Sequence, residues 1–407
     1  MICISRMYNR AYKYRLMPNK EQEVLLSKHF GHCRFVYNHF LQVKIDHYKS
    51  TKKTITWQDL ATQLPQLKDE YEWLNEIGSQ SLQQSILNLD RAYTAFFRSG
   101  AGFPKFKSRK YARKSFIVPI TNSNIKLNYD TKRLVIPKFR EGIKCIFDRP
   151  AEGTVKQAIV SQDRDGKYYV SILVEVNKDF PTKPEPKKSK AIGMDFGVKT
   201  FLTLNDGTKI ENPKVLKKSQ DKLTKHQQDL EQFTKDSTAH ISKQEQITKL
   251  HSKIARQRKD FLDKLSYKLT TKNKWDTIVC EDLSIKSIQQ INFSPANRVI
   301  GDLAWNKFVN MLQYKSDWYG KNFRKIGRFD PSSKMCSQCG YVNHSLTLDD
   351  REWKCPTCET QHDRDVNAAK NIVDFAFPKM EYKMGRNYPI ETHNYCSGGN
   401  PLALAGG

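Results

Sequence analysis

Positions 11–16, AYKYRL, alternate Tyr12, Tyr14 and Leu16 with Lys13 and Arg15, which predicts a short half-buried strand. Pro18 and Asn19 stop it, and Asn19 with Gln22 makes a capping box for the helix that follows. Apolar residues then recur at helical spacing through Leu25, Leu26, Phe30, Cys33, Tyr37, Phe40, Leu41 and Tyr48, to about Lys49. A second amphipathic helix is predicted over 79–98, on Leu82, Ile86, Leu89, Tyr93, Phe96 and Phe97. Strand patterns dominate 116–178, with hairpin signals in NIKLNYDTKRLVI and at Asp165-Gly166. A strand, helices and more strands together predict a small β-barrel interrupted by a helical insert.

FPTKPEPKKSK (180–190) reads as a linker. After it, AIGMD is an apolar strand ending at Asp195, and Asp206-Gly207 turns a further hairpin. Residues 214–272 are highly charged. Leu216, Leu223, Leu230, Ile247, Leu250, Ile254, Phe261, Leu265 and Leu269 fall at helical spacing there, predicting a long helical hairpin. TIVCEDL (277–283) is another short apolar strand ending in acids, and 298–320 reads as a helix. The tail, YCSGGNPLALAGG, offers nothing to pack and is expected to be disordered.

Length adds that 407 residues exceed one ordinary core, so about two or three domains are expected. No apolar run is long enough to span a membrane and the N-terminus lacks an apolar signal segment, so a prokaryotic cytosolic, nucleoid-associated protein is expected. Charge changes the picture more. With 69 Lys+Arg against 43 Asp+Glu the net charge is +26, and self-repulsion on that scale points to a polyanionic partner, nucleic acid. In GFPKFKSRKYARKSF (102–116), Lys105, Lys107, Arg109, Lys110, Arg113 and Lys114 interleave with Phe103, Phe106, Tyr111 and Phe116. Basic groups can neutralise phosphates while aromatics stack on bases. A solvated loop with its aromatics pinned in a core would give the same pattern.

Five of the nine cysteines are scattered singly, and the other four form Cys336-x2-Cys339 and Cys355-x2-Cys358, fifteen residues apart. Two such knuckles complete a tetrahedral four-thiolate shell suited to Zn2+, although an iron–sulfur cluster shares the ligand set. A closed four-cysteine site is structural and leaves no open position for a substrate.

The chemistry is expected instead from acids. Asp195 and Glu281 each end an apolar strand, and ligands gather at the carboxyl ends of strands in open sheets. In HDRDVNAAKNI (362–372), Asp363 is placed to cap a helix and Asp365, in its first turn, is free to reach a metal. Three converging carboxylates need cations between them, and Mg2+ or Mn2+ suits oxygen ligands. Two such ions about 3.5–4 Å apart can drive phosphodiester hydrolysis. Strand-end acids are common, so Asp195 could instead form a turn, and Glu281 or its neighbour Asp282 could simply be solvated.

GMDFGVKTF, VCEDL and SSKMCSQCG…CPTCETQHDRDVNAAKNI together resemble TnpB, the transposon-encoded RNA-guided DNA nuclease family related to type V CRISPR effectors. The N-terminal RAYKYRLMPNKEQEVLLSKHFGHCRFVYNHFL and the GFPKFK segment match as well. The resemblance implies an α/β multidomain protein. Its parts would be a wedge β-barrel in two pieces (1–19 and 101–185), a helical recognition domain between them (20–100) and an RNase H-like RuvC nuclease domain (186–330). A zinc-ribbon insert (331–361), the RuvC C-terminal helix (362–380) and the disordered tail (381–407) would follow. It implies Asp195, Glu281 and Asp365 as the catalytic, Mg2+-binding triad and the four cysteines as ligands of one structural zinc. The implied partners are a guide RNA from the transposon end, one protein per RNA, and double-stranded target DNA. Gln83, Thr121, Asn122 and Trp57 become candidates for reading a duplex motif beside the target. An RNA-guided repressor without cleavage and a DNA transposase are the alternatives.

Overall fold

The computed structural model describes residues 8–110, 112–282, 303–328, 330–347 and 349–377. Tyr111, the start of the segment read as a helix over 298–320, and the tail 381–407 lie outside the described residues. The chain divides into two compact units, the first ending at Asp179 and the second beginning at Phe180. No helix among the described residues is long and apolar enough to cross a membrane.

In the first unit, β1 (Tyr8–Met17) buries Tyr12, Tyr14 and Leu16, the side the alternation predicts. Then comes α1 (Lys20–Thr51), opened by the Asn19/Gln22 capping box. Two short helices, α2 (Trp57–Thr62) and α3 (Leu64–Glu70), precede α4 (Ser79–Ser99). They are too short to show a period, although Thr56 and Asp59 form a capping box for α2. The fully buried residues of α4 end at Leu89 and Tyr93 packs partly against the core, whereas Phe97, expected on the same face, is 70% exposed. Six more strands follow: β2 (Lys114–Pro119), β3 (Lys126–Asn128), β4 (Arg133–Ile136), β5 (Phe139–Ile146), β6 (Thr154–Gln162) and β7 (Tyr168–Val176). They join β1 in a seven-stranded antiparallel sheet ordered β2-β6-β7-β1-β5-β4-β3. β1 is central, registered with β7 from Tyr8↔Val176 to Leu16↔Tyr168. The expected barrel is not closed among the described residues: β2 and β3 are edges, so the sheet is a half-barrel. Among the described residues β2 pairs with β6 and β3 with β4, and β2 and β3 do not pair with each other.

The second unit is built on a five-stranded sheet ordered β10-β9-β8-β11-β12. Its strands are β8 (Ala191–Phe196), β9 (Thr200–Leu204), β10 (Lys209–Glu211), β11 (Thr277–Glu281) and β12 (Asn322–Ile326). The first three form an antiparallel meander, while β11 runs parallel to both β8 and β12. The predicted helical hairpin is α5 (Val215–Glu231) and α6 (Thr238–Thr271), and α7 (Trp305–Trp318) leads into β12. A small ribbon, β13 (Glu352–Lys354) with β14 (Gln361–Asp363), precedes α8 (Arg364–Ala376).

Strand parity decides what each face carries. Ile192, Met194, Ile278 and Cys280 pack with Leu262 of α6 and Phe308 and Leu312 of α7. Val279 packs on the other face, with Ile326 and Ile372 of α8. Gly193 faces α8 too, and so closely that a Cβ there would lie 2.1 Å from the Ala369 carbonyl oxygen and 2.8 Å from Val373 Cγ2. A glycine is required because helix backbone rests directly on strand backbone. Gly193→Ala is therefore expected to force the two apart and cost about 3 kcal/mol, the upper range for overpacking a core. A urea-unfolding midpoint equal to that of the wild type would contradict this packing.

Candidate functional site

Asp195 and Glu281 follow from that parity. Val279 registers with Gly193, and two residues on, at the carboxyl ends of the parallel strands, Glu281 and Asp195 stand on the face that α8 covers. Asp365 lies in the first turn of α8. The three carboxylates interact: burial, then the charges of Glu281 and Asp365, hold the Asp195 carboxyl well above the usual carboxylate range. Burial also raises Glu281, opposed by the Ser332 hydroxyl, which donates to its Oε1 at 2.5 Å. Its neighbour Asp282 is half-buried and pairs with Lys325 at 3.1 Å and Arg328 at 3.7 Å.

The two aspartates of HDRD separate as expected. Asp363 is the N-cap, accepting from the Val366 amide at 3.0 Å, and its other oxygen takes the Lys209 ammonium at 2.6 Å. Asp365 has Arg351 at 3.7 Å. Among the described residues, the metal-sized ligand cluster is the cysteine quartet, with all four sulfurs within 4.8 Å of one another; the three carboxylates are grouped less tightly.

Raised carboxylates make stability depend on pH. A folded-state pKa above the unfolded value of about 3.9 means the folded protein binds the proton more tightly. The contribution of these two groups to stability is therefore fully present below that value and is lost as pH rises through the raised folded pKa. In Mg2+-free buffer the melting temperature of the wild type is expected to fall over this window relative to that of Asp195→Asn. Calorimetry at a series of pH values would contradict this if wild type and variant declined equally.

Two similar turns build the cysteine cluster. The Cys336 carbonyl accepts from Gly340 N and the Cys355 carbonyl from Glu359 N, each at 2.9 Å. Gly340 and Glu359 take left-handed φ values of 80° and 62°. Cys336 Sγ lies 3.6 Å from Cys358 Sγ, and Cys339 Sγ 3.6 Å from Cys355 Sγ. Sequence reasoning missed His362, buried against Trp353 with Nε2 3.0 Å from Cys336 Sγ. It missed Asn367 and Asn371 as well, which are buried on α8 and bind the chain on either side of Cys336. Two asparagines four residues apart on an otherwise apolar helix face were the available signal.

Comparison with known proteins narrows the meaning of this arrangement. Residues 171–292 match the IS605 OrfB family model described as "Probable transposase", and 305–372, spanning all four cysteines, match "Cas12f1-like, TNB domain". A "Putative RNA-guided DNA endonuclease" of Streptomyces pristinaespiralis is 36% identical over 368 residues, covering 89% of this chain and 88% of that protein. InsQ of Escherichia coli K12, with the same description, is 31% identical over 381 residues, covering 89% of this chain and 91% of InsQ. The chain belongs to the TnpB family of IS605 OrfB proteins. A solved Cas12f1-sgRNA-target DNA complex aligns over 90% of this chain and 99% of that one, at 16% identity and a TM-score of 0.36.

One family model is misleading about local structure. Residues 7–53 of this TnpB protein match an IS605 OrfB "Helix-turn-helix domain", yet the described part of that segment is β1 followed by the single helix α1.

The basic strip of this TnpB chain is mixed. Lys105, Arg109, Lys110, Arg113 and Lys114 are exposed. Lys107 is turned inward, its ammonium 3.6 Å from the Tyr37 ring centroid and its backbone held by Asn38. Phe103 and Phe106 are 47% and 53% exposed, whereas Phe116 is core. Of the four candidate reading residues, Gln83 is exposed on α4, and Thr121 and Asn122 are exposed on a loop. Asn124 fastens that loop to α4, donating to Gln80 Oε1 at 3.0 Å, one helical turn before Gln83. Asn122 and Ser123 adopt left-handed φ values of 47° and 55° there. Trp57, the first residue of α2, packs partly against the core.

Proposed function

We propose that this chain is an RNA-guided, divalent-metal-dependent DNA endonuclease that cuts both strands of a target paired with its guide RNA. The observation carrying this reading is the convergence of Asp195 and Glu281, from adjacent parallel strands, with Asp365 from the helix covering them. The second unit then corresponds to an RNase H-like RuvC domain, in keeping with its three-stranded meander extended by two parallel strands. The first unit corresponds to the wedge sheet with its helical recognition insert.

In this reading Asp195, Glu281 and Asp365 hold two Mg2+ or Mn2+ ions. The donor set fits: all ligands are carboxylate oxygens, and the strain of burying like charges together is relieved by cations. Bound there, the ions would activate water and stabilise the leaving oxygen of a phosphodiester. The protein's own part is to hold the acids on a stiff sheet edge and to keep Asp363 out of the site, spent on the helix cap and Lys209. Cys336, Cys339, Cys355 and Cys358 hold a structural Zn2+, because four thiolates in a closed tetrad suit that ion and leave no position for substrate. Gln83, Thr121 and Asn122 are the residues assigned to duplex readout, with Trp57 in support. The exposed lysines and arginines of 105–114 lie along phosphates. A repressor without cleavage is disfavoured because all three acid positions hold carboxylates.

The test is purification with the transposon-end RNA co-expressed, followed by RNase treatment. Loss of DNA cleavage on RNA removal, and its return on adding the RNA back, support the reading. Cleavage that never depends on RNA would favour a transposase.

A further inference from the structure

The segment 332–337 links Glu281 to the helix that carries Asp365 through groups assigned no role so far. Ser332 is 5% exposed, and its hydroxyl donates to Glu281 Oε1 at 2.5 Å. Its carbonyl accepts from Asn371 Nδ2 at 2.7 Å, and the same amide reaches the Met335 carbonyl at 2.6 Å. Asn371 is fully buried and stands on α8, the helix carrying Asp365. One turn earlier, buried Asn367 donates to the Met335 carbonyl at 2.7 Å and accepts from Ser337 N at 2.9 Å. These hydrogen bonds join the strand acid Glu281 to the helix that carries Asp365, on either side of Cys336.

Leucine at 367 and 371 would suit the apolar face of α8 better, since a buried amide is costly unless its partners are well placed. Asparagine is also a weaker helix former. What the two amides supply is an anchor for the 332–337 loop on α8. We propose that Ser332 and Asn371 are positioning residues of the nuclease centre: Ser332 fixes the Glu281 carboxylate by one oxygen, and Asn371 fixes Ser332 to the helix bearing Asp365. This rests on the reading of the three acids as the metal site. Glu281 keeps its other oxygen for a cation, in the manner of outer-shell partners that orient metal-ligating carboxylates. Asp330, the other acid whose charge acts on Glu281, has its carboxylate turned to the Gly327 amide at 2.8 Å.

The experiment uses the zinc-loaded, guide-bound protein and iron-directed cleavage of its own polypeptide. Fe2+ with ascorbate and peroxide cuts backbone beside a divalent site, and Mg2+ competes, so the signal reports ions at the acids and ignores those on RNA. Ser332→Ala is expected to raise the Mg2+ half-competition point about tenfold, the lower range for an outer-shell partner, with Ser332→Thr restoring it. The Mg2+ midpoint of DNA cleavage should shift in parallel. In a Glu281→Gln background Ser332→Ala should add nothing further. Unchanged competition in Ser332→Ala, or an equal loss in both backgrounds, would overturn the proposal. If Ser332→Ala does not fold, Asn371→Ser, which keeps a smaller polar group, carries the same expectation and the same contradiction. Asp195→Ala separates the two levels. If it leaves iron-directed cutting intact, the metal site itself is wrong; if it abolishes cutting while Ser332→Ala changes nothing, the positioning role alone fails.

Discussion

Asp195→Ala is expected to abolish Mg2+-dependent DNA cleavage, by about a thousandfold or more, while guide RNA stays bound at its wild-type level. The scale is the upper range for removing one group that stabilises developing charge in a closed site. The reason for the selectivity is structural. Asp195 is the penultimate residue of β8, and Ile192 and Met194 supply that strand's core packing on the opposite face. Removing its carboxylate relieves repulsion from Glu281 and Asp365, so the variant should be at least as stable as the wild type in Mg2+-free buffer. A stable, RNA-loaded protein that does not cut is the expected combination. Retained cutting would contradict the triad, and loss of both RNA and fold would show that the residue has a structural role instead.

Cys355→Ser is expected to do the reverse, harming the fold first and activity as a consequence. Structural zinc contributes about 10–16 kcal/mol to folding in isolated zinc-finger peptides, so losing one thiolate from a closed tetrad should release the ion. Besides the sulfurs, the ribbon core consists of little more than Leu346 and Trp353, which cannot hold it alone. The loss should spread, because Asn367 and Asn371 of α8 are bonded to the chain on either side of Cys336. Zinc content should drop from about one per chain to background, the ribbon should become protease-sensitive, and cleavage should fall with it. A metal-free variant with the wild-type melting temperature would contradict a structural zinc.

How much of this was legible in the sequence depends on the range of the interaction involved. Alternation at 11–16, the cap at Asn19 and the assignment of Asp363 as a cap are local, and local chemistry settles them. The cysteine quartet was legible because the spacing of two knuckles constrains the geometry strongly. The pairing of Asp195 with Glu281 was not, because it depends on a parallel register between segments more than eighty residues apart. The pattern showed that both strands were apolar and ended in acids; it could not show that Gly193 and Val279 were partners. Lys107 could not be told from its exposed neighbours in the sequence, because Tyr37 and Asn38, distant in sequence, are what hold it inward. The helical period in α4 likewise continues through Phe97 although the core does not. Ser332, Asn367 and Asn371 carry no periodic signature, and their role exists only once three separate elements meet.

The central claim is that RNA-directed, metal-dependent cutting takes place at these three acids. The most direct measurement incubates the purified protein and its co-purified RNA with a plasmid library carrying a guide-matched target beside randomised sequence, with and without Mg2+. The account predicts Mg2+-dependent double-strand breaks at matched sites, enriched for one flanking duplex motif. Occupancy of matched sites with no break under Mg2+ or Mn2+ would contradict it.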